Sequence, residues 1–347
     1  MRSTNLTLFL ILTLNSLALT QGQPTVPAEL AKFDRLIGNW EGTGTAMMGP
    51  DGPAAPWTAS STIKKVLDGF FLQEDVVIDL GEVMPMPIVF RTFYAYDQQT
   101  QKYMTLSVGN MGAPTASQIH WADDNTMVSV DATIEGGQFM QDRWVTKLEK
   151  DVISFKGFRS PGAGPTFPHI EGRMTRTKTA FTPPAPAQVP SGAPANPEMA
   201  QLLRMAGKYR LDGWFRPVAE MEPMTIGAIE TYTPIFGGSI LEMNTVGDDN
   251  PAFGVYKAWS AFGYNDWKKS FVAIHLNNMG EMASTEARYV EDKLVFTHST
   301  FRMGAPSLSR SIFTFGSKGK LAKLSAHGMT GASAPLHEFE ATYKLQN

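Results

Sequence analysis

The sequence predicts an all-β protein made of two tandem antiparallel β-barrels, each opened by a short helix. Three observations support this fold class. About 145 residues are repeated at an offset of 167 to 169 positions, short segments rich in Val, Thr, Tyr and Phe alternate with turn residues, and a proline-rich stretch separates the two copies. A chain of 347 residues, 43% of them hydrophobic, can form two packed domains.

The first 22 residues predict a secretory signal peptide. Arg2 precedes the apolar run LTLFLILTL, and small residues follow, so we expect cleavage near Gly22. The run is too short for a permanent transmembrane anchor, and its alternative role is a buried strand. The chain has no cysteine, which excludes disulfides and a lipid-modified cysteine. We therefore expect a secreted or periplasmic protein.

Two aligned segments show the duplication most clearly. LAKFDRLIGNW (30–40) corresponds to MAQLLRMAGKY (199–209), and FYAYDQQTQKYMTLSVGNMG (93–112) corresponds to AFGYNDWKKSFVAIHLNNMG (261–280). A chance similarity would not keep its register over so many positions, so each copy is expected to be one structural unit.

The repeat sets the predicted domain boundaries. The first barrel spans residues 23–181, the second spans residues 198–347, and TPPAPAQVPSGAPANP (182–197) is an extended linker. A docking motif for a partner is the alternative role of the linker. Because each copy contains a complete set of strands, each should fold when expressed alone.

Each copy begins with a short helix and continues as strands. Leu30, Phe33 and Leu36 recur at helical spacing, and Gly38 and Gly207 are placed to end the helices with a positive φ. Eight or nine alternating segments follow in meander order, with no helical period between them. Closure into an up-and-down barrel removes the open sheet edges, and a sandwich is the second possibility.

Several ordered motifs carry a family resemblance. LIGNWEGTGT, YAYDQQTQKY, FGYNDWKKSF and the repeated NMG together resemble the bacterial domain of unknown function 1579 family. The resemblance implies exported lipocalin-like (calycin) barrels and no established activity. LIGNWEGTGT is also similar to nitrobindin-type haem barrels, which implies haem bound by a histidine on a late strand. His337 and His169 are the matching residues, but the second copy has GKYRLDGWF in place of the glycine-rich tryptophan segment.

The candidate ligand-binding residues come from the aligned aromatic positions, the NMG turns and the last strand. They are Trp40, Tyr96, Met111, Tyr209, Tyr264, Met279, His337, Phe339 and Tyr343. Strand alternation places His337 on the face of Phe339, Ala341 and Tyr343, toward the barrel interior. The same rule places His169 with Glu171 and Arg173 on the polar face. Both histidines can instead be structural.

The NMG triplets, Asn110–Gly112 and Asn278–Gly280, each follow an apolar strand. Asn and Gly suit a bulge or tight turn there, with the methionine closing the barrel end. The alternative is that the turn forms the rim of a ligand pocket, with Met111 and Met279 as flexible lining.

Enzyme and metal motifs are absent from the sequence: it has no G-x-S-x-G, H-E-x-x-H, Walker or G-x-G-x-x-G pattern, and its six histidines are scattered. The methionine-rich VMPMPI and EMEPMTI stretches could hold Cu(I) but suit packing equally. A net charge of −3 without basic runs argues against nucleic acid as a partner.

Three functional hypotheses follow. The first is a non-catalytic module that binds a small apolar or amphipathic ligand inside a barrel, with no cofactor. The second is a structural or interaction protein whose barrels have solid cores. The third is a haem or metal protein, or an enzyme whose site is scattered along the sequence. Nothing in the sequence specifies an oligomeric state.

Overall fold

The computed structural model describes residues 25–47, 49–135, 138–162, 164–192, 196–216, 221–249, 254–266, 268–302, 305–330 and 337–346. The predicted signal peptide lies outside these residues. Among the helices that the structure describes, none is both long and apolar enough to cross a membrane.

The first copy forms ten strands within the described residues. They are β1 (Gly38–Met47), β2 (Ala54–Val66), β3 (Phe71–Asp79), β4 (Ile88–Asp97), β5 (Lys102–Gly109), β6 (Gly112–Trp121), β7 (Thr126–Glu135), β8 (Gln138–Leu148), β9 (Val152–Pro161) and β10 (Phe167–Thr177).

The second copy has the same number of strands in its described part. They are β11 (Gly207–Arg216), β12 (Met224–Ile235), β13 (Ile240–Gly247), β14 (Lys257–Asn265), β15 (Ser270–Asn277), β16 (Met282–Val290), β17 (Lys293–Arg302), β18 (Ala305–Phe315), β19 (Leu321–Thr330) and β20 (His337–Gln346).

Each set of strands is a closed up-and-down barrel. Consecutive strands are neighbours, and closure comes from antiparallel pairing of β1 with β10 and of β11 with β20. The all-β tandem-barrel prediction is confirmed. The predicted eight or nine strands per copy was too few, because each copy forms ten strands in its described part. A turn at Ala122–Asn125 separates β6 from β7.

A short helix precedes each barrel, as predicted. The first cap helix is a 3₁₀ helix, Ala28–Leu36, and buries Leu30, Phe33 and Leu36. The second cap helix, Met199–Leu203, is α-helical and buries Met199 and Leu202. Further short 3₁₀ segments are Leu67–Gly69, Gly81–Val83, Pro186–Gln188, Phe236–Gly238 and Ser317–Gly319.

Gly38 and Gly207 have the predicted positive φ, at +138° and +148°. Both glycines begin the first strand of their barrel. A side chain there would be strained, because L-residues rarely adopt this region of φ. Ile37 alone separates the first cap helix from β1, and residues 204–206 separate the second cap helix from β11.

The described part of the predicted linker contacts the first barrel. It contains the 3₁₀ turn Pro186–Gln188, and Val189 is buried. The Gly192 N–H donates a hydrogen bond to the Asn110 carbonyl at 2.7 Å. The first NMG turn is therefore an attachment point for the linker.

Candidate functional site

Trp40 and Tyr209 attach the cap helices to the barrels. The Trp40 indole N–H donates to the Leu36 carbonyl at 2.8 Å, and the Tyr209 hydroxyl donates to the Met205 carbonyl at 2.9 Å. Both side chains are buried, with exposures of 1% and 0%. The two residues are equivalent in the repeat, and both hold the cap in place by reaching back four residues.

Tyr96 and Tyr264 are the second pair of predicted residues. Each is half-buried and packs edge-on against the ring opposite it, at a centroid distance of 5.0 Å from Tyr103 and of 5.1 Å from Phe271. Tyr103 also packs against Phe33 of the first cap helix at 5.4 Å. These tyrosines belong to the packed aromatic layer at the cap end.

The NMG asparagines extend the strand pairing beyond the end of the ladder. The Val89 N–H donates to the Asn110 side-chain oxygen at 3.0 Å, and the Asn110 amide donates to the Pro87 carbonyl at 2.9 Å. Asn278 makes the same two contacts with the Lys257 N–H and the Val255 carbonyl, each at 2.9 Å. Turn geometry thus accounts for the repeated asparagine.

The methionines of the two NMG turns lie in different environments. Met111 is 39% exposed, whereas Met279 is half-buried and packs against the core of the second barrel. Gly280 has a φ of +81°, as a tight turn requires.

The last strand, β20, lines the interior of the second barrel as strand alternation predicts. Phe339 and Ala341 are each 1% exposed and Tyr343 is 8% exposed, and all three belong to the interior cluster. His337 begins this strand opposite Gly328. Its side chain lies outside the described part of the chain, so its role as a ligand stays a prediction.

The interior of the second barrel also carries a row of polar side chains, which we call the second inner belt. It consists of Ser260 on β14, His275 on β15, Thr285 on β16, His298 on β17 and Ser309 on β18. Ser260 lies opposite His275, and His298 lies opposite Ser309. Thr285 is one diagonal position from His275 on the same face. The belt therefore crosses five neighbouring strands.

Three atoms of the second inner belt have no hydrogen-bond partner within the described residues: His275 Nε2, Thr285 Oγ1 and Ser309 Oγ. These residues are only 3%, 5% and 5% exposed. The other ring nitrogen of His275 lies 2.7 Å from the Ser260 hydroxyl. A buried polar atom without a partner costs about 1–3 kcal/mol. A bound molecule would remove that cost.

A buried carboxyl group lies next to this belt. Glu230 is fully buried and accepts hydrogen bonds from the Tyr232 hydroxyl at 2.6 Å and from the Thr245 hydroxyl at 3.2 Å. Burial raises the pKa of Glu230 to about 7, although these hydrogen bonds and the neighbouring Tyr343 oppose the rise. Burial lowers the pKa of His275 to about 4, so its imidazole is neutral at pH 7.

The repeat places an equivalent row, the first inner belt, in the first barrel: Thr92, Ser107, Ser117, Asp131 and Asp142. The Thr92 and Ser107 hydroxyls are 2.9 Å apart, and the Ser117 hydroxyl donates to Asp131. Two hydrogen bonds of 2.8 Å join the Arg159 guanidinium to Asp142. Burial raises the pKa of Asp131. This belt satisfies its polar groups internally.

The predicted orientation of His169 is wrong. A register shift between Pro168 and Ile170 turns the histidine out of the regular alternation. Its ring packs edge-on against Trp144 at 5.3 Å, beside the carboxylate of Asp142. Desolvation lowers the pKa of His169.

An outer groove of about 770 Å³ reaches the second inner belt from the side. Within the described residues, the β16–β17 register extends from Val290–Lys293 to Glu286–Thr297 and does not continue to Thr285 and His298. Those two belt residues line the groove together with residues of the outer face. The described pairing of β16 with β17 therefore ends next to the belt.

The belt was not identified from the sequence, although strand alternation places Ser260 and His275 on the interior faces of β14 and β15.

Among the described residues, no group of three or more His, Asp or Glu side chains is arranged to hold a metal ion.

The family comparison matches part of the first copy, whereas the predicted resemblance spans both copies. Residues 27–157 match the family described as "Protein of unknown function (DUF1579)", and this match confirms the predicted family. None of the curated proteins matches the chain.

Two of the solved structures that match this chain combine low identity with high coverage. A protein of unknown function from the DUF3598 family of Nostoc punctiforme PCC 73102 has 11% identity and a TM-score of 0.21, with 92% of this chain and 100% of that chain covered. A proposed outer membrane protein from Bacteroides fragilis NCTC 9343 has 8% identity and a TM-score of 0.20, with 91% and 99% covered. These TM-scores support no inference about function.

Proposed function

We propose that this chain, whose residues 27–157 match the DUF1579 family, is an exported, non-catalytic protein that binds a small amphipathic ligand inside its second barrel. The observation that carries the proposal is the second inner belt. It buries His275 Nε2, Thr285 Oγ1 and Ser309 Oγ without partners in the described part of the chain. Such groups are uncommon in folded proteins, and each needs a hydrogen-bonding neighbour.

The surroundings of the belt favour a ligand that is part apolar. Phe296 contacts Phe262 and Phe313 at centroid distances of 5.8 and 5.5 Å, and all three rings are buried inside the barrel. Ligand sites commonly combine such an apolar wall with a few polar groups that orient the ligand. A molecule with an apolar body and a small polar end fits both features.

A solid-core interaction protein is the second candidate. The observation that favours it is the burial of interior side chains such as Phe313, Leu324 and Phe339, each at most 1% exposed. In that case ordered water satisfies the belt, and the interior accepts no ligand.

The test is a fluorescence titration of residues 23–347 with N-phenyl-1-naphthylamine, an uncharged apolar probe. We expect saturable binding with one site per chain. Ala283→Trp, opposite His275 inside the second barrel, should abolish binding. Ala59→Trp, inside the first barrel, is the matched control and should leave binding unchanged.

The titration separates the candidates. No saturable signal at tens of micromolar would favour the solid core. A Soret band after addition of haemin, lost in His337→Leu, would favour the haem hypothesis. Export is tested separately by mass spectrometry of the secreted protein, which should lack residues 1–22.

A further inference from the structure

We propose that the second inner belt is a subsite for an uncharged hydroxyl or carbonyl head group. This inference rests on the proposed function, and it adds the chemical class of the ligand. The belt positions are adjacent across β14 to β18, so a single small head group can reach several of them.

The first argument is charge. The belt contains two serines, one threonine and two histidines, and it has no carboxylate, ammonium or guanidinium group. The first barrel has Asp131 and Asp142 at the positions of His298 and Ser309, and Arg159 pairs with Asp142. A charged head group in the second belt would find no opposite charge among the belt side chains, which is unfavourable in a buried site.

The second argument is hydrogen-bonding capacity. His275 is fixed at one ring nitrogen by the Ser260 hydroxyl, so the neutral ring offers one donor or one acceptor at Nε2. The Thr285 and Ser309 hydroxyls each donate or accept. A ligand hydroxyl, which does both, matches either tautomer of His275, and a carbonyl matches the donors.

The third argument is access. The β16–β17 register ends next to Thr285, and the outer groove includes both Thr285 and His298. A head group that enters between these strands reaches the unpartnered Thr285 hydroxyl first. This observation is independent of the missing hydrogen-bond partners.

The experiment is a competition assay at pH 7.5 with N-phenyl-1-naphthylamine bound to residues 23–347. The competitors are 1-decanol, decanoate and decylammonium, which share one chain length and differ in the charge of the head group. We expect decanol to displace the probe at a concentration at least about tenfold lower than either ion, because no side chain of the belt carries a charge that could pair with either ionic head group.

Substitutions then assign the preference to the belt. Thr285→Val and Ser309→Ala should each weaken decanol binding by about threefold to tenfold, as expected for the loss of one neutral hydrogen bond. Affinity for the probe should stay unchanged. Thr92→Val, in the first inner belt, is the matched control and should not affect decanol.

Each outcome has one meaning. Equal displacement by all three competitors would overturn the inference, as would unchanged decanol affinity in both variants. If decylammonium competed as well as decanol, the buried carboxyl of Glu230 would be the recognised group instead. Failure of the probe itself to bind would defeat the proposed function, and not only the class of head group.

Discussion

The two inner belts occupy equivalent positions in the repeat but satisfy their polar groups in opposite ways. In the first barrel, Asp142 is paired with Arg159, and Asp131 accepts a hydrogen bond from a serine. In the second, Thr285 and Ser309 are buried without partners in the described chain. The strand framework is thus retained while the interior chemistry differs. The polar groups of the first belt are all hydrogen-bonded or ion-paired, whereas the second belt leaves hydrogen-bonding capacity for another molecule.

The buried carboxyl groups show the same divergence. Glu74 on β3 accepts a hydrogen bond from the Tyr94 hydroxyl at 2.7 Å, and Glu230 on β12 accepts one from the Tyr232 hydroxyl at 2.6 Å. The two acids are not equivalent, because the position of Glu230 corresponds to Ser61. Each barrel therefore contains a tyrosine–carboxyl pair, half-buried in the first barrel and buried in the second, and the two pairs occupy different positions in the repeat.

The largest effect on stability is expected from breaking the ion pair between Arg159 and Asp142. The second barrel has Ser309 at the position equivalent to Asp142. Arg159→Met leaves the Asp142 carboxylate buried and unpaired, so we expect the free energy of unfolding to fall by about 3 kcal/mol. Urea unfolding of the chain measures this loss. Arg143→Met, on the exposed face of β8, is the control and should change it by less than about 0.5 kcal/mol.

The double variant Asp142→Asn/Arg159→Met should recover most of the lost stability, because no unpaired charge remains. If the single variant costs no more than Arg143→Met, the ion pair does not stabilise the first belt and this contrast between the barrels fails.

The second prediction concerns pH. The pKa of Glu230 is raised from 4.5 to about 7, so the folded state holds a proton that the unfolded state has released between these values. The stability contributed by this group is complete below pH 4.5 and is lost as pH rises through 7. Relative to the wild type, Glu230→Gln should therefore gain up to about 3 kcal/mol across this window.

Urea unfolding at half-unit pH intervals measures the difference between the variant and the wild type. His275 acts in the opposite direction, because its pKa is lowered from 6.5 to about 4 and its contribution increases as pH rises between these values. Glu74→Gln should show the same sign as Glu230→Gln, since burial raises the pKa of Glu74 as well. A difference that is independent of pH would contradict the protonation of Glu230 in the folded state.

Much of the fold was predictable because its signals are local. Alternating segments, turn residues and the helix-ending Gly38 and Gly207 are all visible in short windows of sequence. The predicted strand count was too low, and a four-residue turn, 122–125, separates two of the ten strands of the first copy.

The site was less predictable because it depends on partners distant in sequence. Alternation places Phe339 and Tyr343 inward, and the pairing of β20 with β11 stays in register across both residues. The same rule fails at His169, where a bulge shifts the register. No strand taken alone shows that His275 would meet Ser260, or that Thr285 would lack a partner, because these properties arise from the cross-strand register.

The third prediction tests whether the cap junctions are equally constrained. Gly38→Ala and Gly207→Ala should each destabilise the chain by about 1–2 kcal/mol, because both positions have positive φ. An added Cβ would meet the Arg176 guanidinium in the first barrel and the Leu345 side chain in the second. Arg176 is held by the carbonyls of the first cap helix, whereas Leu345 is 42% exposed and can move.

We therefore expect the Gly38 variant to be the less stable of the two when each is unfolded in urea. The conservative controls are Ala31→Gly and Ala200→Gly in the cap helices, which change the same residue types away from the junctions. Losses of a few tenths of a kcal/mol at both glycines would show that the change from helix to strand is not constrained there.

The smallest expected effect on stability comes from substitutions at one belt position, which is compared between the two barrels. Ser117→Ala removes the hydroxyl that donates to Asp131, so we expect a loss of about 1–2 kcal/mol in the free energy of unfolding. Thr285→Val at the equivalent position removes a hydroxyl without a described partner while keeping the side-chain shape. Without ligand, this variant should change the free energy of unfolding by less than about 0.5 kcal/mol, or raise it slightly. Parallel urea unfolding of the two variants measures both values.

Equal losses would mean that Thr285 has a partner of its own, such as ordered water, and the second belt would then be as complete as the first. An unequal result in the expected direction would show that copy two keeps a hydroxyl that does not stabilise its fold, as a residue retained for binding would.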